Sequence, residues 1–111
     1  MLAKKYRFHS RGGVQFTYKH GKTIRMPKMS LVFNKNSRGK QRFAVVISKK
    51  VIKSAVGRNR VRRRVYEAIR LMLPEFPEKR DCIFIVYSKE IKDLEFTQLQ
   101  KIVKNLLEQS K

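Results

Sequence analysis

The chain has 111 residues, enough for one folded domain with a modest core and too few for two. Its 28 Lys and Arg residues against 8 Asp and Glu give a formal net charge of +20, and a hydrophobic content of 41% excludes a disordered basic tail. Because so large a positive charge repels itself in a compact fold, the composition favours a polyanionic partner over a merely solvated basic surface.

Cysteine use and hydropathy predict a cytoplasmic protein. Cys82 is the single cysteine, lies in an apolar run and has no partner for a disulfide within the chain, which suits a reducing compartment. The longest apolar runs, Phe43–Ile47 and Cys82–Tyr87, are far too short to span a membrane. Residues 1–10 are basic, have no apolar stretch behind them and are expected to be loosely ordered rather than a signal peptide.

The first half of the chain predicts one helix followed by three strands. Ser10–His20 is expected to be helical, with Gly21 at the position that favours a left-handed cap. Lys22–Met26 predicts a short strand. Lys28–Lys35 and Gln41–Ser48 alternate along the chain, and the turn-like NKNSRGK between them predicts an antiparallel hairpin.

The second half predicts a basic helix, a buried strand and a last helix. Val56–Met72 carries one apolar stripe, which consists of Val61, Val65, Ala68, Ile69 and Met72. Pro74 is expected to end this helix, and Asp81–Ser88 predicts a buried strand. A capping box at Thr97-x-x-Gln100 is expected to open the last helix. The order α-β-β-β-α-β-α predicts a single α+β sandwich over residues 1–111.

Catalytic and metal-binding patterns are missing from the sequence. His9 and His20 lie outside any ligand spacing, and with one cysteine they cannot form a zinc site. The acids are scattered through loops and turns, and no glycine-rich phosphate loop precedes a helix. We therefore predict no catalytic residue and no dedicated metal site in the protein.

Nucleic-acid binding is favoured by the segment SAVGRNRVRRRVYEAIR, Ser54–Arg70, which contains six arginines and one acid. Arginine neutralises phosphate, grips it through a bidentate fork and stacks on bases. Asn59 adds a donor and an acceptor, and Gly57 is expected to let the backbone approach closely. A solvated helix face explains one or two arginines but not six.

A second, apolar constellation lies on the other face of the predicted sheet. Tyr18 on the first helix and Val32, Ala44 and Val46 on the strands predict a shallow groove. Two interpretations stay open. Either the first helix covers these residues as core, or the groove is a platform on which unpaired bases stack.

The motif Ser48-Lys49-Lys50, followed after a short loop by GRNRVRR at 57–63, resembles the protein subunit of bacterial ribonuclease P. The family's order of elements matches most of the chain. The resemblance implies a ribosomal-protein-like fold with a four-stranded mixed sheet, in which a left-handed crossover, rare in general, joins strand, basic helix and strand. It also implies a non-catalytic partner of a catalytic RNA, which cuts the 5′ leader from precursor tRNA with Mg²⁺.

The resemblance places the ribonuclease P RNA on the basic helix and the single-stranded leader in a cleft between the first helix and the sheet. No membrane or DNA partner is expected. The predicted RNA-binding residues are Lys49, Lys50, Lys53, Arg58, Asn59, Arg60, Arg62, Arg63, Tyr66 and Arg70. The predicted leader cleft consists of Val14, Phe16, Tyr18, Val32, Ala44 and Val46.

This sequence departs from the family pattern at two positions. Val14 stands where the family has the first of two aromatics on the first helix, which weakens stacking unless Phe16 substitutes. Tyr66 stands where an arginine is common, which removes a phosphate grip and adds a stacking ring.

The alternative from another class is a ribosomal or other structural RNA-binding protein without a substrate. Both functions explain the charge and the basic helix. Only the first predicts a separate apolar site for single strands and fits S-K-K together with R-N-R. A double-stranded DNA binder is disfavoured because the sequence has no helix-turn-helix or zinc pattern.

Overall fold

The computed structural model describes residues 6–7, 11–35, 41–73 and 80–110, with only the backbone for residues 11–15. Within these ranges the predicted order of elements is confirmed. The elements are α1 (Arg11–His20), β1 (Lys22–Arg25), β2 (Met29–Lys35), β3 (Arg42–Ile47), α2 (Ala55–Met72), β4 (Arg80–Val86) and α3 (Phe96–Gln109). A short 3-10 helix at Lys89–Lys92, which was not predicted, lies between β4 and α3.

The four strands form one mixed sheet in the order β1-β2-β4-β3. The predicted α+β fold with a four-stranded mixed sheet is therefore confirmed. The predicted hairpin is wrong, because β4 lies between β2 and β3, antiparallel to the first and parallel to the second. The hand of the crossover from β3 through α2 to β4 stays a prediction. The expected hairpin turn, the loop at Pro74 and most of residues 1–10 lie outside the described residues.

β4 is central because it is apolar on both faces. Cys82, Phe84 and Val86 belong to the main core, and Ile83 lies in a second cluster on the opposite face, with Ile85 packed against it. A strand that is apolar on both faces is stable only where both faces are covered.

The main core lies between the sheet and the two longer helices. Contacts join α2 to β3 and to α3, and α3 to β1 and β2. The predicted stripe of α2 is confirmed, since all five of its residues are buried. Burying one such aliphatic side chain stabilises a fold by about 1.5–3 kcal/mol, so this stripe is what holds the charged helix on the sheet. Ser54 caps α2, and its hydroxyl accepts the Gly57 N–H at 2.9 Å.

The predicted capping box of the last helix is wrong. α3 begins at Phe96, and the capping residue Glu95 makes no side-chain hydrogen bond to the helix. Thr97 therefore lies inside the first turn, where its hydroxyl is not at the N-cap position that the box requires. The other end of α3 is fixed by Arg80, which donates to the Ser110 carbonyl and, at 2.8 Å, to its hydroxyl.

Gly21 ends α1, but for a different reason from the one predicted. Its backbone does not adopt the left-handed conformation; instead a Cβ there would lie 2.5 Å from the Thr17 carbonyl oxygen and 2.7 Å from that of Phe33. The missing side chain thus allows the end of α1 to lie directly on β2. Thr17 is fully buried at this contact. None of the helices in the described ranges is long and apolar enough to cross a membrane.

Candidate nucleic-acid interface

Two arginines of α2 donate hydrogen bonds to backbone carbonyls of the protein itself. The Arg58 guanidinium donates to the carbonyls of Ile52 at 2.9 Å and Lys53 at 2.8 Å. The Arg64 guanidinium donates to the carbonyls of Ile91 at 2.6 Å, Lys92 at 2.8 Å and also Leu94. Burial lowers the pKa of Arg64, and the nearby charge of Arg60 lowers it further. Arg58, predicted as an RNA ligand, therefore holds the preceding turn.

Two other arginines have side-chain partners on the helix surface. Arg62 donates to the Asn59 side-chain oxygen at 2.9 Å, so the predicted acceptor is already in use. Arg70 forms an ion pair with Glu67, with Nε 3.0 Å from one carboxylate oxygen. The hydrogen bond from Arg70 lowers the pKa of Glu67. Both pairs are open to solvent, where a polyanion can compete for the arginine.

Arg60 and Arg63 are the arginines of α2 whose guanidinium groups remain available to bind phosphate. Both are exposed, and neither makes a hydrogen bond or an ion pair with the part of the chain that the structure describes. They are three residues apart, so they are neighbours on the exposed side of the helix. Lys49, Lys50 and Lys53 are exposed in the turn before α2. We call these five side chains the basic face.

The prediction that Tyr66 contacts RNA is wrong. Its ring is 5% exposed and belongs to the main core. Burial raises the pKa of the Tyr66 hydroxyl, while the charge of Arg7 and a backbone hydrogen bond with Val45 act in the opposite direction. Tyr66 follows Val65 of the buried stripe, and the adjacent strand β3 extends the covered zone far enough to enclose it.

The need for a glycine at position 57 is also explained by packing within the protein. A Cβ at this position would lie 2.7 Å from Ile52 Cγ2 and 2.9 Å from the Ser54 hydroxyl oxygen. The glycine is buried, so the close backbone approach that the sequence predicted is an approach to the capping turn rather than to RNA.

The second face of the sheet carries two apolar rows beneath α1. The register places Val32 and Ala44 on either side of Ile83, and Val46 beside Ile85. Val32 is 3% exposed and Ala44 5%, so they are core residues and do not present a surface to a ligand. For these two the interpretation as core is correct. Val46 and Ile85 are half-buried and form the accessible part of the floor.

Tyr18 lies on α1, the helix that contacts β2 and β4 on this face. It is 42% exposed, and burial of the remainder raises the pKa of its hydroxyl. Phe16 is exposed, and its ring contacts the ring of His20 with centroids 4.4 Å apart. Residues two apart in a helix point to nearly opposite sides, so the structure separates Phe16 from Tyr18. The side chain of Val14 lies outside the described part.

Tyr87 is a residue of this face that was not predicted from the sequence. It follows β4 in the alternation that includes Ile83 and Ile85, and this alternation was the signal that could have found it. Its ring is half-exposed, and its hydroxyl accepts a 3.2 Å hydrogen bond from Ser30. We call the set Tyr18, Val46, Ile85 and Tyr87 the aromatic face.

Two potentially reactive side chains of the sheet are buried or paired. Burial raises the pKa of the Cys82 thiol to about 12, so it is no nucleophile at neutral pH. Asp81, which alternates with Ile83 and Ile85 along β4, forms a bidentate ion pair with Arg42, with both distances 2.7 Å. Among the residues described, no three His, Cys, Asp or Glu side chains group together as metal ligands. What the arrangement can do is bind phosphates on one side of the sheet and stack bases on the other.

The chain is similar to known proteins over nearly its whole length. A family model described as Ribonuclease P matches residues 2–111. The ribonuclease P protein component of Chloroflexus aurantiacus is 40% identical over 90 residues, which cover 81% of this chain and 66%, just under two thirds, of that protein. The one from Roseiflexus castenholzii is 32% identical over 109 residues, covering 98% of this chain and 88% of that protein.

Solved structures show the same fold. The ribonuclease P protein of Thermotoga maritima superposes with a TM-score of 0.83 at 24% identity, covering 93% of this chain and 96% of that one. The Staphylococcus aureus protein superposes with a TM-score of 0.82 at 24% identity, covering 96% and 95%.

Proposed function

This chain belongs to the ribonuclease P protein family, and on that premise we propose that it is the protein subunit of a ribonuclease P, which assists removal of the 5′ leader from precursor tRNA. Its partners in this proposal are the ribonuclease P RNA and the precursor tRNA. A cytoplasmic location belongs to the same proposal, because that is where these RNAs meet.

The observation that carries the proposal is the presence of two chemically different faces on opposite sides of one sheet. The basic face is fixed to α2, which packs on the main core. The aromatic face lies on the other side, where α1 contacts β2 and β4. A protein that binds two RNAs at once has use for both faces. A structural RNA-binding protein without a substrate has no use for the second.

Each face has its own part in the proposed mechanism. The basic face binds phosphates of the ribonuclease P RNA, and each contact releases counterions. The aromatic face holds unpaired leader nucleotides by stacking on Tyr18 and Tyr87. The protein binds the leader and the ribonuclease P RNA at the same time, so substrate and catalyst are held in one complex. This lowers the entropic cost of reaching the cleavage geometry.

The chemical step is assigned in this proposal to the RNA. The Mg²⁺ that this reaction uses is expected on RNA phosphates, which together with water are ligands that this ion commonly takes. The protein's contribution is charge and position. With a net charge of +20 it reduces the repulsion between two polyanions that must approach each other.

Sequencing of co-purified RNA tests this function without assuming a partner. The tagged chain is expressed in its bacterial host and purified at moderate salt, in parallel with an Arg60→Ala/Arg63→Ala variant. We expect ribonuclease P RNA to be strongly enriched over its cellular abundance, and less so with the variant. Enrichment of ribosomal RNA alone would favour the structural RNA-binding protein.

A further inference from the structure

A cavity of about 630 Å³ lies beside the start of α2, next to the basic face, with which it shares Lys53. One wall is the turn at residues 51–54, and the other is the segment at residues 89–94. These segments follow β3 and β4, which are parallel, so their carboxyl ends reach the same edge of the sheet. The volume is within the range of about 300–1,000 Å³ typical of pockets that hold small-molecule-sized groups.

Both walls of this cavity are fixed by arginines of α2. Arg58 holds the first wall through the carbonyls of Ile52 and Lys53. Arg64 holds the second through three carbonyls between residues 91 and 94. The walls approach each other at Gly57, where a Cβ would lie 2.7 Å from Ile52 and 3.8 Å from the Lys92 side chain. The cavity is thus held open by the helix and does not depend on a ligand for its shape.

Its charge is positive once the neighbours of its acids are included. Lys53, Lys89 and Lys92 line the cavity, together with Glu90 and Asp93. Glu90 forms a 3.2 Å ion pair with Lys28, which lies outside the lining. Asp93 acts electrostatically on the Arg64 guanidinium, whose pKa it raises against the effect of burial. The lining thus carries three lysines against two acids, and one of these acids, Glu90, is also paired with Lys28, so positive charge prevails and suits an anion.

We propose that this cavity binds backbone phosphates of the ribonuclease P RNA, with Lys53, Lys89 and Lys92 as the contacting residues. The inference rests on the proposed function and extends the RNA contact from α2 to the segment before α3. The ribonuclease P RNA is favoured over the leader because both walls are attached to α2, the helix that carries the basic face, and Lys53 belongs to that face and to the cavity. None of the motifs in the sequence marks Lys89 or Lys92.

Paired lysine variants of equal charge test the proposal. Lys89→Ala/Lys92→Ala is compared with Lys101→Ala/Lys104→Ala, whose lysines are exposed on α3 away from the cavity. We expect the first variant to bind ribonuclease P RNA roughly tenfold more weakly, with a salt slope reduced by about one to two. The second variant should stay close to the unmodified protein. Equal losses for the two pairs would overturn the proposal, because only total charge would then matter.

Crosslinking identifies the RNA in the cavity. Cys82 is buried and its thiol pKa is raised to about 12, so a Lys92→Cys variant presents one reactive thiol for a photo-crosslinker. We expect crosslinks to ribonuclease P RNA in the assembled complex, and none from a matched Lys104→Cys variant. Crosslinks to precursor tRNA alone would overturn the assignment. If the unmodified protein binds no ribonuclease P RNA, the proposed function itself fails, which is seen before any variant is compared.

Discussion

Replacing Arg60 and Arg63 together by alanine tests the basic face with little disturbance of the fold. Both side chains are exposed and bonded to nothing in the described ranges, so the free energy of unfolding should change by no more than about 0.5 kcal/mol. Two phosphate contacts should be lost. Each contributes roughly 0.7–0.9 to the salt slope, so the slope should fall in magnitude by about 1.4–1.8.

The loss of affinity follows from the same slope. If the electrostatic contribution to binding vanishes near 1 M salt, each phosphate contact raises the affinity for RNA roughly four- to fivefold at about 0.15 M salt. The two contacts together then raise it about 15- to 30-fold. That factor corresponds to about 2 kcal/mol. Filter binding or fluorescence titration with ribonuclease P RNA over a salt series measures both quantities. Lys101→Ala/Lys104→Ala is the control of equal charge. Unchanged affinity and slope for the arginine variant, or an equal loss for the control, would refute the reasoning.

Two further variants separate stacking from structural support. Tyr18→Ala should weaken binding of leader-bearing precursor tRNA to the assembled complex by roughly 1–3 kcal/mol and leave mature tRNA unaffected, whereas equal losses on both substrates would show that Tyr18 serves the fold. Arg64→Ala should lower the free energy of unfolding in urea by about 2–3 kcal/mol, because three carbonyls lose a charged donor, with Arg64→Lys recovering only part of it. A loss no greater than that of Arg63→Ala would contradict the role given to Arg64.

The elements of the fold were predictable because hydrophobic periodicity is a local property. The stripe of α2 follows from five residues at helical spacing, and all five are buried. Pairing between strands is not local. The alternation in β2 and β3 suits a hairpin as well as two strands separated by a third. The clue to the true order was in β4, where Ile83 and Phe84 are both fully buried although they point to opposite faces.

The spacing of the arginines could not predict which of them bind the protein's own carbonyls and which stay exposed. A helical wheel places Arg58, Arg60, Arg63 and Arg64 around the charged side of α2, but it contains no information on carbonyls from other segments. Arg64 bonds to residues 27 and 28 positions away, on a 3-10 helix that has no clear sequence signal. Tyr66 was misplaced for the same reason, because the width of the buried stripe depends on β3 beside it.

Cleavage of precursor tRNA by the reconstituted complex tests the central claim most directly. The purified chain, the ribonuclease P RNA and the two together are each incubated with leader-bearing precursor at physiological salt and low Mg²⁺. The protein alone should not cut, and adding it to the RNA should raise the cleavage rate. A higher Mg²⁺ concentration should partly substitute for the protein, since divalent ions screen the same phosphate repulsion. Cleavage by RNA-free protein, or no stimulation of the RNA under these conditions, would contradict the account.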